Sequence, residues 1–594
     1  MATSHEMTEG RIFPQLFYFT LPLLMGNLLQ QTYSLVDAAI VGRFLGINSL
    51  ASVGASTSVV FLILGFCNGC CGGFGIPVAQ KFGARDYETM RRYVAVSLQL
   101  AAGMSLVLAL VTSLLCGDIL HMMRTPDNIF EGAYYYLLIT FIGIPCTFFY
   151  NLLSSIIRAL GDSKTPFWFL LFSTVLNIGL DLFCILVLDW GVAGAAIATV
   201  VAQGVSAVLC YVYMMRHFDI LRTTPAERRY SSKLARTLLS IGVPMGLQFS
   251  ITAIGSIMLQ SANNALGTTC VAAFTAAMRI KMFFMCPFES LGIAMATFAG
   301  QNYGAGRPKR IWQGVKASAG MMMAYWVFAF CMLMFGSRQF ALLFVDASEV
   351  EVLNGAVLFL HVSVSFFPVL GLLCILRYTI QGAGFTNLAM LSGVSEMIAR
   401  ILVSVLAVPA FGYIAVCFGD ATAWVFADAF LIPAFIYVYR KIKRQFPEDL
   451  SRQVGFDEVG IFMKNFVNLS RHVLVDVHAP GNKNELRTQP FGLLRRHGRT
   501  HPETACLITG SSHHATFFGM PHGNGFAAQL RTIALLHRCI EGIHIDVYDF
   551  TFGHIPQDVS PAKVLKKQHN RIYFSDPACL GCLPSVPEGL TQPA

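Results

Sequence analysis

Long apolar stretches separated by short polar connections make up most of this chain, from residue 12 to residue 442. A helix crosses the ~30 Å hydrocarbon core of a membrane with ~20 mostly apolar residues. Twelve stretches of that length occur here, and we call them spans 1 to 12. They are predicted at residues 15–41, 48–76, 92–115, 131–157, 165–188, 191–215, 238–262, 269–297, 312–336, 352–377, 387–408 and 412–439. The pattern therefore predicts an all-α membrane protein with twelve transmembrane helices.

A repeat at a spacing of 221 residues runs through this apolar region. The segment Gln301-Asn-Tyr-Gly-Ala follows the pattern of Gln80-Lys-Phe-Gly-Ala. The same spacing pairs residues at corresponding helix ends and connections: Gly46 with Gly267, Ala51 with Ala272, Ser97 with Ser318, Gly161 with Gly382, Thr165 with Thr386, and Gly191 with Gly412. The repeat predicts two homologous six-helix lobes around a central cleft, which is where transporters built from repeats place their substrates.

The repeat and the changes in composition also set the predicted domain limits. Residues 1–215 form the N-lobe, residues 216–237 a cytoplasmic linker between the lobes, and residues 238–445 the C-lobe. Residues 446–594 form a polar C-terminal cytoplasmic extension of unknown fold, for which a poorly ordered tail and a small folded domain both stay open. No metal site is predicted, because the Cys579-Leu-Gly-Cys582 motif of the tail lacks a second cysteine pair.

Composition and charge agree with this picture. The chain is 55% apolar and 13% charged, an apolar share above what a soluble domain needs for its core. Basic residues concentrate in the connections after spans 2, 4, 6 and 8 and after span 12, and basic loops favour the cytoplasm. We therefore expect a multi-pass protein of the plasma membrane, the bacterial inner membrane, with both termini in the cytoplasm. These loops account for most of the net charge of +9, so no nucleic-acid partner is expected.

Four oxygen-bearing side chains of the N-lobe fall at similar depths in three predicted spans. They are Asp37 in span 1, Asn177 and Asp181 in span 5, and Thr199 in span 6. At a rise of ~1.5 Å per residue, Asp37, Asp181 and Thr199 lie ~6, ~10 and ~12 Å below the outer surface. Asn177 precedes Asp181 by one helical turn and shares its face. Because carboxylates within a membrane by default mark a functional site, these residues form a candidate cation site.

The chemistry of these groups suits a small positive ion. Two carboxylates in a pocket of low dielectric repel each other, and one proton or one Na⁺ relieves that repulsion. The repeat places Met258, Ile398 and Leu402 at the C-lobe positions that correspond to Asp37, Asn177 and Asp181. The predicted site therefore belongs to the N-lobe alone. The alternative is that each Asp hydrogen-bonds a neighbouring helix and only fixes the packing.

These motifs give residues 10 to 445 a resemblance to the multidrug and toxic compound extrusion (MATE) family. The resemblance rests on Pro22, Asp37-Ala-Ala-Ile-Val-Gly42, Leu45-Gly46, the repeated Gln80-Lys-Phe-Gly83-Ala motif, Arg158-Ala-Leu-Gly161-Asp162 before Thr165-Pro166, and Asn177 with Asp181. It implies export of organic cations in exchange for H⁺ or Na⁺, without a cofactor. It further implies that the coupling ion binds at Asp37, Asn177, Asp181 and Thr199, and that span 1 bends at Pro22.

The C-lobe carries charged residues of its own within predicted spans. Glu396 and Arg400 lie four residues apart on span 11, which allows an intrahelical pair, and Arg279 lies in span 8. These three residues are possible substrate-binding or structural charges, and two interpretations stay open: paired charges that lock the helices together, and a Glu396 carboxylate that helps to select a cationic substrate. Predicted spans 7 and 10 hold no acidic residue, so we expect no second Na⁺ site of the kind that some MATE relatives have there.

The main prediction is a monomeric secondary transporter in the lipid bilayer that exports amphiphilic organic cations. The chain has no P-loop motif, so we predict that it is not an enzyme and that an ion gradient drives it. One alternative is a flippase for lipid-linked precursors, which needs several cations facing the cleft. Arg279, Lys281, Arg377 and Arg400 keep that alternative open. A membrane scaffold is a further alternative, which the intramembrane carboxylates disfavour.

Overall fold

A computed structural model describes residues 6–123 and 125–446, and that part of the chain forms twelve membrane spans when each bent pair of helices is counted as one. The spans are, in order, Ile12–Gly46, Ala51–Gly83, Tyr87–Leu114, Asp127–Ile142 with Ile144–Ala159, Lys164–Leu186, Gly191–His217, Ser232–Asn264, Thr268–Gly304, Pro308–Ala341, Val350–Ser365 with Phe367–Gly382, Thr386–Phe411, and Tyr413–Gln445. The described residues contain no strand. These helices confirm the predicted all-α fold of two six-helix lobes.

Most helices extend beyond their predicted ends, because a helix continues into polar connections where hydropathy no longer marks it. Span 1 continues nine residues past Asp37 to Gly46, so Asp37 lies ~13 Å from that helix end and not the predicted ~6 Å. Span 6 ends at His217 and span 7 begins at Ser232, which leaves a shorter connection than the predicted linker 216–237. The predictions for the tail, including its Cys-x-x-Cys motif, concern residues 447–594, which lie outside the described residues.

The glycines that the repeat pairs form matching turns in the two lobes. Gly46 and Gly267 have φ angles of 83° and 101°, and Gly191 and Gly412 have φ angles of 58° and 59°. Residues with a Cβ are strained at positive φ, whereas glycine is not. The two lobes therefore need glycine at the same turns, which explains why the repeat is visible there.

Spans 4 and 10, which correspond in the two lobes, are both bent. The bends measure 47° and 50° and lie at Gly143 and Phe366. A proline stands in the first turn after each bend, where it has no N–H to donate to the preceding turn. The hydropathy pattern did not predict these bends, because the apolar stretches run through them.

The two lobes meet along spans 1 and 2 of one and spans 7 and 8 of the other. Spans 2 and 7 touch through their backbones, because a methyl group added at Gly73 would lie 2.5 Å from the Gly242 Cα. One added at Gly69 would lie 2.7 Å from the Gly246 Cα. Small residues allow such close contact between helices in a membrane. Each lobe also has its own large cluster of buried apolar side chains.

We call the end of the bundle that carries the loops after spans 2, 4, 6 and 8 the basic end, and the opposite end the far end. At the basic end, spans 2 and 8 cross in close contact. A methyl group at Gly83 would lie 2.6 Å from the Gln301 Cα, and one at Gly304 would lie 3.0 Å from the Gln80 Cα. The repeated motif found in the sequence therefore forms the crossing point of the two lobes.

The segment from Glu6 to Gly10 lies across this crossing and joins the lobes. The backbone N–H of Met7, a buried residue, donates to Gln301 Oε1 at 2.8 Å, and Gln301 Nε2 donates to the Ala159 carbonyl of the N-lobe at 2.9 Å. Arg310 donates to the carbonyl oxygens of Met7 and Gly10 at 3.1 and 2.9 Å. The basic end is therefore closed in this conformation by backbone packing and by a bound segment.

Candidate cation-binding site

The two predicted N-lobe carboxylates meet between spans 1 and 5. Asp181 is fully buried, and Asp37 lies close enough for the two carboxyl groups to hydrogen bond to each other. The Oδ1 atom of each is buried without a hydrogen-bond partner among the described residues. Two ionised carboxylates at this separation repel each other strongly. The geometry therefore favours a proton or a small cation held between them.

Asn177 and Thr199, the two neutral predicted residues, complete the cluster. We assign the Asn177 amide from its partners: its nitrogen donates to Asp181 Oδ2 at 3.1 Å and to Tyr33 Oη at 3.0 Å. Its oxygen accepts from the Thr199 hydroxyl at 3.2 Å and from the Thr199 backbone N–H at 3.1 Å. The structure thus brings all four predicted side chains together, while the ion that they bind stays a prediction.

The apolar surroundings of this cluster follow from the same helices. Ile40 and Val41 come one turn after Asp37 on span 1, and Ile185 comes one turn after Asp181 on span 5. These side chains form a small buried cluster on the far-end side of the carboxylates. Charges in such surroundings interact more strongly than in water, because few solvent dipoles screen them.

Two tyrosines belong to the site, and the sequence analysis missed both. The Tyr33 hydroxyl lies 3.2 Å from Thr199 Oγ1, and Tyr136 of span 4 lies within electrostatic range of Asp37 and Asp181. Tyr33 precedes Asp37 by four residues, so the helical period could have shown that the two share a face. No spacing in the sequence relates Tyr136 to the other residues.

The charged residues of the C-lobe form a connected set of ion pairs. Glu396 and Arg400 make the predicted intrahelical pair at 3.3 Å, and Glu396 also binds Arg377 of span 10. Arg400 Nε lies 3.0 Å from Asp420 Oδ1 of span 12, and Asp420 in turn binds Lys281 of span 8. All five side chains are buried. The set joins spans 8, 10, 11 and 12, as the packing interpretation expects.

Arg279 is not part of this set. It is exposed and lines a pocket of about 680 Å³ at the far end, together with Thr275, Asp346 and Glu349. Pro22 lies in span 1, where the backbone stays helical; the one non-helical residue within Ile12–Gly83 is Gly46. The bend at Pro22 stays a prediction.

Among residues 6–123 and 125–446, no group of His, Cys, Asp and Glu side chains is placed to hold a metal ion.

Twelve spans in two repeated lobes, with a polar cluster buried inside one lobe, define a multi-pass membrane transporter. The sequence model of the MatE family matches residues 22–183 and 244–406, one stretch in each lobe. The chain belongs to the MatE family. This confirms the resemblance to MATE multidrug efflux transporters that the motifs indicated.

Individual relatives agree with this assignment. The probable multidrug resistance protein YpnP of Bacillus subtilis (strain 168) is 32% identical over 308 residues, which are 52% of this chain and 69% of YpnP. The multidrug export protein MepA of Staphylococcus aureus (strain MSSA476) is 22% identical over 391 residues, which are 65% of this chain and 86% of MepA.

Solved structures show the same fold. A MATE crystal structure in complex with MaL6 superposes with a TM-score of 0.69 at 22% identity and covers 75% of this chain and 99% of its own. The outward-facing conformation of a multidrug resistance MATE family transporter of the MOP superfamily also gives 0.69, at 21% identity, and covers 75% and 98%.

Proposed function

We propose that this transporter exports amphiphilic organic cations in exchange for protons, and that Asp37 and Asp181 bind the proton. The observation that carries the proposal is the buried carboxyl pair, in which each Oδ1 atom lacks a partner among the described residues. A proton shared by the pair would remove the repulsion between the two carboxylates. The names of the relatives, multidrug resistance and multidrug export proteins, support the substrate class.

With the Asn177 amide assigned from its hydrogen-bond partners, its nitrogen donates to Asp181 and its oxygen accepts from Thr199. A hard cation is instead held by several oxygen ligands. The amide therefore serves the carboxyl pair as a hydrogen-bond donor. Na⁺ is the second candidate, and it would require the amide to turn its oxygen towards the ion.

Span 1 supplies the coupling in this proposal. Protonation of Asp37 would weaken its polar contacts and allow span 1 to bend at Pro22, where a helix already lacks one hydrogen bond. Asn27, five residues after Pro22, donates to Ser290 Oγ of span 8 at 2.9 Å. That hydrogen bond joins span 1 to span 8 of the C-lobe in this conformation. When span 1 bends into the cleft, the hydrogen bond has to break.

The proposed orientation places the basic end in the cytoplasm of a bacterial cell, with both termini inside and the protein acting as a monomer in the inner membrane. The basic loops support this side because they favour the cytoplasm. No cofactor takes part in the proposed cycle apart from the coupling ion. In this proposal the proton reaches the N-lobe site from the far side.

The flippase alternative is weaker in the structure than in the sequence. It needs cationic side chains that are free to meet a pyrophosphate in the cleft. Lys281, Arg377 and Arg400 are buried in ion pairs with acidic residues. Arg279 is exposed, but it lies in the far-end pocket. A cluster of free cations that would suit this second function is therefore not formed by these four residues.

Efflux from proteoliposomes tests the proposal. Ethidium efflux should follow an imposed proton gradient, and Asp37→Asn and Asp181→Asn should each lower its rate at least tenfold, because an amide cannot carry the proton. Asp219→Asn is the matched control, since Asp219 is exposed and pairs with Arg222 outside the spans. Gradients of H⁺ and Na⁺ imposed separately identify the ion. Efflux that ignores both gradients and both substitutions would disprove the antiport mechanism.

A further inference from the structure

The C-lobe ion pairs form a chain with an excess of positive charge. Along it, Arg377, Glu396, Arg400, Asp420 and Lys281 alternate in sign, and each acid contacts the two cations beside it. Three cations and two acids leave the buried chain with one uncompensated positive charge. An uncompensated charge in the membrane interior is costly, so a further negative charge is expected nearby.

Asp428 of span 12 is in the right place to supply that charge but is not bonded to it. Its side chain is 5% exposed, and both of its carboxyl oxygens are buried without a hydrogen-bond partner in the described part of the chain. Arg377, the terminal cation of the chain, lies within electrostatic range of Asp428. In this conformation, however, Arg377 binds Glu396 and donates to Ser392 Oγ at 3.1 Å.

These contacts distribute the charges unevenly. Glu396 has two cationic partners, Arg377 and Arg400, whereas Asp428 has none. A buried carboxylate without partners is so unfavourable that the group takes up a proton instead. The described arrangement is therefore the one in which Asp428 is neutral. Arg377 could instead turn from Glu396 to Asp428. Glu396 would then keep Arg400 as its partner and Asp428 would ionise. The three cations would be balanced by three acids.

We propose that Asp428 is a proton-binding site of the C-lobe and that Arg377 alternates between Glu396 and Asp428 as that proton binds and leaves. Proton uptake by the Asp428 carboxylate releases Arg377 to Glu396, and proton loss draws Arg377 back. Because Arg377 lies on span 10, Glu396 on span 11 and Asp428 on span 12, the exchange changes the bonds among three helices. The role in transport rests on the proposed proton coupling, whereas the binding of the proton does not.

The neighbouring groups leave Arg377 as the one charged partner that can make this exchange. The titratable and charged groups around Asp428 and the ion pairs come from four spans. They are Arg377 and Cys374 of span 10, Glu396 and Arg400 of span 11, Asp420 of span 12, and Lys281 and Glu289 of span 8. The charged residues of spans 7 and 9 lie towards the ends of these helices, at Lys233, Arg236, Lys309, Arg310, Lys316 and Arg338. Tyr325 of span 9 is engaged elsewhere, because its hydroxyl donates to the Phe284 carbonyl. Arg400 and Lys281 are held by Asp420.

Infrared spectroscopy of the reconstituted protein tests proton binding without any transport. At neutral pH the wild type should show a carboxylic acid C=O component that Asp428→Asn removes and that Asp420→Asn leaves in place, separate from the component that the proposed proton on Asp37 and Asp181 gives. Glu396→Gln removes the competing acid, so Arg377 should pair with Asp428 and the band should titrate at a proton activity at least tenfold higher. Equal C=O intensity in the wild type and Asp428→Asn, or a titration that Glu396→Gln does not move, would overturn the proposal.

Transport then tests whether the proton site takes part in the cycle. Asp428→Asn should lower proton-driven efflux at least tenfold and change its pH profile, whereas Asp428→Glu, which keeps the carboxyl, should retain the wild-type profile. Equal pH profiles for the wild type and Asp428→Asn would show a purely structural acid and overturn the coupling role. If wild-type efflux does not follow a proton gradient, the proposed function fails, but the infrared titration still decides the proton site.

Discussion

The crossing of spans 2 and 8 gives a sharp test of the fold, through Gly83→Ala. The added methyl group would lie 2.6 Å from the Gln301 Cα and closer still to its carbonyl oxygen, whereas real Cβ contacts essentially never fall under 3.0 Å. Backbone atoms cannot turn aside as a side chain can, so the two helices must separate by roughly 1 Å. Such overpacking costs about 1–3 kcal/mol, although alanine itself favours the helix by up to about 1 kcal/mol. We expect a net loss of about 1–2 kcal/mol of unfolding free energy.

Gly320→Ala on span 9 is the matched control, because a methyl group there meets nothing within 4 Å. It should raise the unfolding free energy by about 0.5–1 kcal/mol through helix propensity alone. Denaturant unfolding in detergent measures both variants, and labelling of a cysteine introduced at buried Thr8, in the segment across the crossing, reports whether the crossing has opened. If Gly83→Ala were as stable as Gly320→Ala and labelled like the wild type, the close backbone contact would be refuted.

Three further substitutions test other parts of the structure. The hydrogen bond that Arg91 donates to Glu227 is the main reason that the pKa of the Glu227 carboxyl is lowered to about 2. Glu227→Gln should therefore lower the unfolding free energy by about 1–3 kcal/mol at pH 7, and the difference from the wild type should disappear as the pH falls from about 4.5 towards 2 in a pH series of thermal unfolding. Lys281→Met leaves Asp420 paired with Arg400 and removes one charged contact, so it should cost about 1–3 kcal/mol by the same measurement, against no change if the pair is unimportant. Pro22→Ala should leave the fold at least as stable and slow ethidium efflux, and an unchanged rate would remove Pro22 from the mechanism.

Much of the fold could be predicted from the sequence, because a membrane demands long apolar helices and the duplication repeats its turns. Gly46 and Gly267 show this well, since the spacing that paired them also paired their positive φ angles. The N-lobe cluster was predictable for a related reason. Helical rise placed Asp37, Asp181 and Thr199 at similar depths, so side chains from three helices could be grouped without coordinates, although span 1 continues further past Asp37 than predicted.

The remaining features depend on how helices turn about their axes and bend, which hydropathy does not record. Tyr136 joins the N-lobe site because span 4 presents that face to it, and the bend at Gly143 lies within one apolar stretch. The pairing of Arg377 with Glu396 was missed for the same reason, since 19 residues and a turn separate the two. Sequence reasoning found the intrahelical pair of Glu396 and Arg400, where the helical period alone sets the contact.

The repeat shows why the two lobes use buried polar groups differently. Thr199 of the N-lobe site and Asp420 of the C-lobe chain occupy equivalent positions, 221 residues apart on spans 6 and 12. Around Asp420 the C-lobe supplies Lys281 and Arg400, so its charges compensate one another inside the protein. Around Thr199 the N-lobe supplies two carboxyls, and none of the described ion pairs brings a cation to them. The positive charge that balances these two carboxyls has to come from an ion in solution. A carboxyl pair that depends on such an ion is suited to bind and release it.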